Sequence, residues 1–147
     1  METEQVATAT RLLAYDTFDH RCPLRPIMDQ TTSRWATLII SALIAGPHRF
    51  AQLHARVGGI SQKMLSQNLK ALARAGLVTR SVAPTNPPQV TYGLTELGVS
   101  LAGPLTDLIG WFGRHGDELL AAQKHYDGQD EGRAVERAED RSEVREA

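Results

Sequence analysis

The stretch GISQKMLSQNLKALARAGLVTR, residues 59–80, contains a helix start, a helix stop and the beginning of a strand. Ser61 is a residue type whose hydroxyl caps helix N-termini, and Gly76 suits the left-handed position that closes a C-terminus. Between them Met64, Leu65, Leu69 and Leu72 recur near the 3.6-residue period and predict a buried stripe. The other side presents Ser61, Gln62, Lys63, Ser66, Gln67 and Lys70, without one acidic residue. Exposed helix faces ordinarily mix signs to gain pairs four residues apart, and this face does not.

The missing acids belong to a longer block. From Gln30 to Thr95 there is no Asp or Glu, while Arg34, Arg49, Arg56, Lys63, Lys70, Arg74 and Arg80 make seven cations. The net charge of −1 therefore conceals segregation, and a one-sided basic surface points to a polyanionic partner. The compensating charge lies at the end of the chain, where residues 127–147 carry eight acidic and four basic side chains. With almost no large apolar residues, the segment from 126 to 147 reads as a solvated, disordered tail.

Working outward, Val78, Arg80 and Val82 alternate, as do Val90, Tyr92 and Leu94, so LVTRSV and QVTYGL read as a hairpin across APTNPP. Upstream, HRFAQLHARVG places Phe50, Leu53 and Val57 at helical spacing, and Gly58-Gly59 ends that short helix. Ser33 caps RWATLIISALIAG, in which Trp35, Leu38, Ile39, Leu43 and Ile44 form the expected buried face before Gly46-Pro47. Pro26 can begin a short helix reaching Thr31, and TATRLLAYDTF, within an N-terminal extension over residues 1–21, could form another. Downstream of Thr95-Glu96, the residues Leu97, Leu101, Leu105, Leu108, Ile109 and Phe112 keep one apolar stripe, with Pro104 expected to start a fresh helix. The order is helix, helix, short helix, helix, hairpin, long helix. The fold class is mainly α with a small β-hairpin (α+β), a winged helix-turn-helix spanning residues 22–125.

In such a module the second helix enters the major groove and the wing follows the backbone. Gln can donate to and accept from an adenine edge, Lys can donate to guanine or phosphate, and Ser can do either. Ser61, Gln62, Lys63, Ser66, Gln67 and Lys70 are thus the candidate DNA-binding residues, joined by Arg34, Arg80 and Gln89; a plain solvated face is the alternative. No nucleophile–base constellation, phosphate loop or paired carboxylate appears, so no enzyme is expected. The five histidines have no tight metal spacing, and neither metal nor cofactor is expected. A protein-interaction module is the competing function. No stretch approaches a membrane span and the start lacks a signal-peptide pattern, so a cytoplasmic protein without membrane partners is expected.

Several motifs in order give a resemblance to a family: Cys22-Pro23, Arg34-Trp35, GPHRFAQL at 46–53, GISQKML at 59–65, GLVTR at 76–80 and PPQVTYGLTELG at 87–98. Over about residues 22–112 the chain resembles the HxlR-type winged helix-turn-helix transcriptional regulators of bacteria. The resemblance implies a homodimer on an inverted-repeat operator, more often a repressor, with double-stranded DNA as partner. It implies dimerisation through the regions around 8–31 and 104–124, for which Leu105, Leu108, Ile109 and Phe112 are the candidate contacts. Two departures stand out: Gln89 replaces a residue often basic in the family, and Thr32-Ser33-Arg34-Trp35 replaces Gly-Gly-Lys-Trp.

Cys22, the single cysteine, sits where some family members carry a redox- or electrophile-sensing thiol. Arg21 and Arg25 flank it, and nearby positive charge lowers a thiol pKa. The alternative is a small inert residue near the dimer interface. A small-molecule effector is the other possible signal, with Trp35, Trp111 and Phe112 as lining residues or simply core.

Overall fold

The computed structural model describes residues 15–146. The chain divides into two compact units, one ending at Thr106 and one starting at Asp107. The elements are α1 (Arg25–Thr31), α2 (Arg34–Leu43), β1 (His48–Arg49), α3 (Phe50–Arg56), α4 (Gln62–Arg74), β2 (Val78–Ala83), β3 (Gln89–Leu94), α5 (Glu96–Arg114) and α6 (Gly116–Glu146). This is a helix-turn-helix, α3–turn–α4, followed by a wing.

Capping chemistry places the helices. Ser33 Oγ accepts from Ala36 N at 3.4 Å, and Ser61 Oγ accepts from Met64 N at 3.0 Å. At the other end of α4, Gly76 has φ +77°. Leu77 N donates to Leu72 O and Gly76 N to Ala73 O, both at 3.0 Å, the paired bonds of a Schellman stop. The turn between α3 and α4 uses Gly59 at φ +84°, a conformation that costs an L side chain strain.

Packing refines the expected faces. In α2 the buried residues are Ala36, Thr37, Ile39, Ile40 and Leu43, whereas Leu38 is exposed and Ile44 is 49% exposed. At about 100° per residue, Leu38 and Ile44 lie roughly 150° and 90° from the centre of the Ala36–Ile39–Ile40–Leu43 stripe. In α4, Leu65, Leu69 and Leu72 are buried as expected, but Met64 is 38% exposed and Asn68 takes its place inside. Buried Asn68 is satisfied because its Nδ2 donates to Met64 O at 2.8 Å.

The sheet has three strands, not two, in the order β1-β3-β2. The expected hairpin is present, with Arg80 opposite Tyr92 and Val82 opposite Val90. The added strand pairs His48 with Tyr92 and Arg49 with Thr91. Two residues are too few to show alternation, which explains why β1 does not announce itself in the sequence.

A threonine joins the wing to the helices. Thr95 N donates to Leu77 O at 3.0 Å, Thr95 Oγ1 donates to Gly76 O at 2.6 Å, and Gly98 N donates to Thr95 Oγ1 at 3.0 Å. Thr95 therefore caps α5 and binds the carbonyl at the end of α4. The approach is close enough that a Cβ at buried Gly98 would collide with the Leu77 carbonyl oxygen.

Pro104 does not start a new helix; α5 runs unbroken from Glu96 to Arg114 with the proline inside. A proline disfavours helical geometry at the preceding residue partly through that residue's Cβ, and here the preceding residue is Gly103. The tail also differs from expectation: residues 116–146 form one helix, exposed at every position from Asp117 to Arg145. Of the helix expected near the start, residues 8–14 lie outside the described residues; Tyr15–Phe18 form a bend and turns. No described helix is long and apolar enough to cross a membrane.

Gly98→Ala should lower stability by about 1–3 kcal/mol through overpacking. The usual effect of Gly→Ala inside a helix has the opposite sign, about 0.5–1 kcal/mol stabilising. A urea midpoint that rises in this variant would show that the Leu77–Gly98 approach is not a tight contact.

Candidate nucleic-acid interface

Two physical demands fall on α4, and its two sides meet them separately. Leu65, Leu69 and Leu72 anchor one side in the core shared with α2 and β2. On a helical wheel Gln62, Lys63, Ser66, Gln67 and Lys70 fall within about 140° on the other side. All five, and the capping Ser61, are exposed. Lys63 and Lys70 stand about 10 Å apart along the axis with Gln67 between them. Ser61 uses an acceptor lone pair on Met64 N and keeps its hydroxyl proton free to donate.

The electrostatics follow from the acid-free block. Among the described residues the ion pairs involve only Asp19, His20, Arg21, Arg25 and Asp29. Arg34, Arg49, Arg56, Lys63, Lys70, Arg74 and Arg80 form none with another described residue. Such a surface attracts a polyanion and has no internal counter-charge to displace.

The remaining candidates divide. Arg34, at the start of α2, lies over its neighbour Trp35 with the guanidinium carbon 4.2 Å from the ring centroid. The Trp35 ring in turn reaches the Gly59 turn, where an added Cβ would lie 3.8 Å from it. This holds Arg34 near the helix-turn-helix by a cation–π contact. Arg80 is exposed on β2. Gln89 is not free: its Oε1 accepts from Arg49 Nη2 at 2.7 Å. Arg49 also starts α3, with its backbone N–H donating to Gln52 Oε1 at 2.9 Å. Arg49 is the residue that sequence reasoning left unassigned. Its signal was present in the GPHRFAQL motif and the acid-free block, but its pairing across 40 positions needs the β1–β3 register.

Cys22 is free and 9% exposed. The flanking arginines are engaged elsewhere. Arg21 grips Asp19 through Nη2 to Oδ2 at 3.0 Å and Nε to Oδ1 at 3.2 Å, and these bonds hold the Asp19 carboxyl below its ordinary pKa. Arg25 Nη1 donates to Thr17 O at 2.9 Å.

Leu105 is 5% exposed and belongs to the core of its own unit, so it is not free to meet a second chain. Leu108 is exposed, Ile109 half-buried and Phe112 54% exposed. The stripe thus continues beyond the part of α5 that the core covers. Trp111 stacks on His115 with centroids 4.6 Å apart, and neither Trp111, Phe112 nor Trp35 lines the apolar groove beside α2 and β3. That groove, of about 520 Å³, is bounded by Leu43, Ile44, Pro47, Leu94, Val99 and Ala102 with three glycines and Thr79, and carries no charged lining.

Comparison with known proteins agrees with this geometry. Residues 31–119 match the family described as HxlR-like helix-turn-helix. The helix-turn-helix-type transcriptional regulator YtfH of Escherichia coli K12 is 39% identical over 119 residues, covering 81% of this chain and 94% of that protein. The transcriptional regulator ytfH of Salmonella typhimurium superposes with a TM-score of 0.71 at 38% identity, covering 75% of this chain and 98% of that one. Diamide-treated YodB of Bacillus subtilis gives 0.55 at 35% identity, covering 65% and 96%.

Ser61→Ala should cost about 1 kcal/mol through the lost cap, whereas Ser66→Ala, which holds no backbone group, should change stability by less than about 0.5 kcal/mol. Equal urea midpoints for the two variants would contradict the capping role. The capped, acid-free second helix, the three-stranded wing and the matched residues 31–119 together make this chain a member of the HxlR-like helix-turn-helix family of transcriptional regulators.

Proposed function

We propose that the chain is a dimeric, sequence-specific DNA-binding regulator, acting more often as a repressor, on an inverted-repeat operator. The observation that supports this best is α4, whose exposed face carries Ser61, Gln62, Lys63, Ser66, Gln67 and Lys70 without an acid or an ion-paired cation. Gln62, Ser66 and Gln67 would read base edges; Lys63 and Lys70 would bind guanine or phosphate. Arg34 and Arg80 would hold the backbone. At the wing root Gln89 would position the Arg49 guanidinium, so the cation comes from β1 instead of β3.

Residues 22–125 would carry DNA binding and dimerisation in a cytoplasmic, non-enzymatic protein. Leu108, Ile109 and Phe112 are the surfaces a second copy would cover, and two-fold symmetry would place half-sites about 34–36 Å apart. A small effector would be neutral and largely apolar, since the groove offers no charge to pair with an ion. A thiol signal at Cys22 would need local opening first, because the side chain is buried and neither flanking arginine is free. The competing function, an acidic protein partner on the same face, is separated by DNA binding itself.

Binding is measured by anisotropy on duplexes from the promoter region of its own gene. Lys63→Ala or Lys70→Ala should each flatten the log K versus log salt slope by about 0.9 where the contact is to phosphate. Gln67→Ala should relax discrimination at one base pair by about 1–3 kcal/mol. Normal operator binding by a variant with Lys63, Gln67 and Lys70 all changed to Ala would overturn the recognition-helix assignment.

A further inference from the structure

The charged end of the chain repeats like charges at a spacing of four. Within α6 every pair of charged residues four apart has the same sign: Asp127–Glu131, Arg133–Arg137, Glu136–Asp140, Arg137–Arg141, Glu139–Glu143 and Arg141–Arg145. Six such pairs, with no opposite pair at that spacing, destabilise a lone helix, where residues four apart are neighbours. The pattern nevertheless has a helical result. Arg133, Arg137, Arg141 and Arg145 form one continuous ridge, each step rising about 6 Å and the whole about 18 Å. Glu136, Glu139, Asp140 and Glu143 gather on an arc centred about 130° away, while Asp127 and Asp130 lie on the arginine side, about one to two turns nearer the N-terminus of the ridge.

The arginines are exposed and form no ion pair with another described residue. Opposite charges do stand three residues apart, as Asp130–Arg133, Arg133–Glu136 and Arg137–Asp140. None of these closes an ion pair among the described residues, where the ion pairs lie between Asp19 and Asp29. A row of rigid guanidinium forks at regular spacing suits a row of phosphates, which accept bidentate bonds. A duplex presents one phosphate per about 3.4 Å of axis on each strand, so a ridge of this length can engage several. The acidic arc, centred on another side of the helix, would turn towards solvent and be screened within about a Debye length of 8–10 Å.

We propose that the α6 arginine ridge is a second, sequence-independent DNA contact, gripping the phosphate backbone of duplex outside the operator bases. The inference rests on the DNA-binding reading above and adds a surface to it. Like-charged neighbours that oppose the free helix become an advantage once phosphates neutralise the ridge, so DNA should also raise the helicity of this segment.

The test uses the full chain and a 40-bp duplex of arbitrary sequence, with affinity read across a salt series. The variant R133Q/R137Q/R141Q/R145Q should bind at least tenfold more weakly at low salt, with a slope shallower by about 3–4. The variant E136Q/E139Q/D140N/E143Q should keep the wild-type slope, which separates a ridge contact from a change in overall charge. Equal and opposite slope changes in the two variants would overturn the proposal, and so would an unchanged slope in the arginine variant. Vesicles containing phosphatidylglycerol give the lipid outcome: loss of vesicle binding with DNA binding intact would make the ridge a membrane contact and sink the idea. If Lys63→Ala and Lys70→Ala weaken duplex binding while the arginine variant behaves as wild type, only the ridge falls. If wild type binds no duplex, the DNA-binding reading falls with it.

Discussion

The hydroxyl of Thr95 is the small contact on which the relative placement of α4, the wing and α5 depends. It donates to the last carbonyl turn of α4 at Gly76 and accepts from Gly98 at the start of α5, while the Thr95 backbone binds Leu77. One residue thus fixes three elements: the end of the second helix, the first strand of the wing and the long helix that follows. The approach it enforces leaves no room for a side chain at Gly98. A helix whose exposed side chains are to be held in a fixed orientation needs both ends fixed. Ser61 holds one end of α4, and the Gly76–Thr95 arrangement holds the other.

Much of this was legible because it is local. Caps and stops act over three to five residues, so Ser33, Ser61 and Gly76 can be read from single positions and their neighbours. The period of two in the wing is equally local, and the strands lie where Val78, Arg80 and Val82 and their partners suggest. The failures are the non-local features. Leu38, Ile44 and Met64 are apolar but lie about 90° or more from the centre of the buried stripe, and the core meets α2 and α4 over a narrower arc than their apolar residues occupy. Strand β1 exists only because β3 lies beside it. Pro104 is tolerated because Gly103 removes the preceding Cβ, a reading that needs two residues weighed together. The site divided in the same way. The face of α4 could be read from its period, but the Arg49–Gln89 contact could not be read at all.

Charge segregation operates at two scales. Over residues 30–95 it removes acids from the whole helix-turn-helix and wing, so that no described carboxylate competes with a polyanion for those cations. Over residues 133–145 acids and bases are both abundant, and they lie on arcs with different centres on the helix instead of in separate sequence blocks. Composition detects the first and averages away the second. A net count of eight acids against four bases makes the tail simply acidic, whereas its helical arrangement places all four bases in one line. Attraction falls off over about 8–10 Å at physiological salt, so it is the face and not the total that a partner meets.

The Arg49–Gln89 pair shows how a neutral residue can fix the direction of a nearby cation. A glutamine at 89 removes a formal charge from the wing, which in isolation should weaken its hold on a phosphate. Its Oε1 instead accepts from the Arg49 guanidinium at 2.7 Å and fixes the orientation of a cation already present on the adjacent strand. A guanidinium with one donor so engaged retains several others in a fixed fork. Orientation lowers the side-chain entropy lost on contact, and a neutral glutamine adds no competing charge. The formal charge at residue 89 therefore does not by itself describe the electrostatics of this wing, because the direction of the Arg49 guanidinium also counts. That direction is set by β1, the two-residue strand whose existence depends on its pairing with β3.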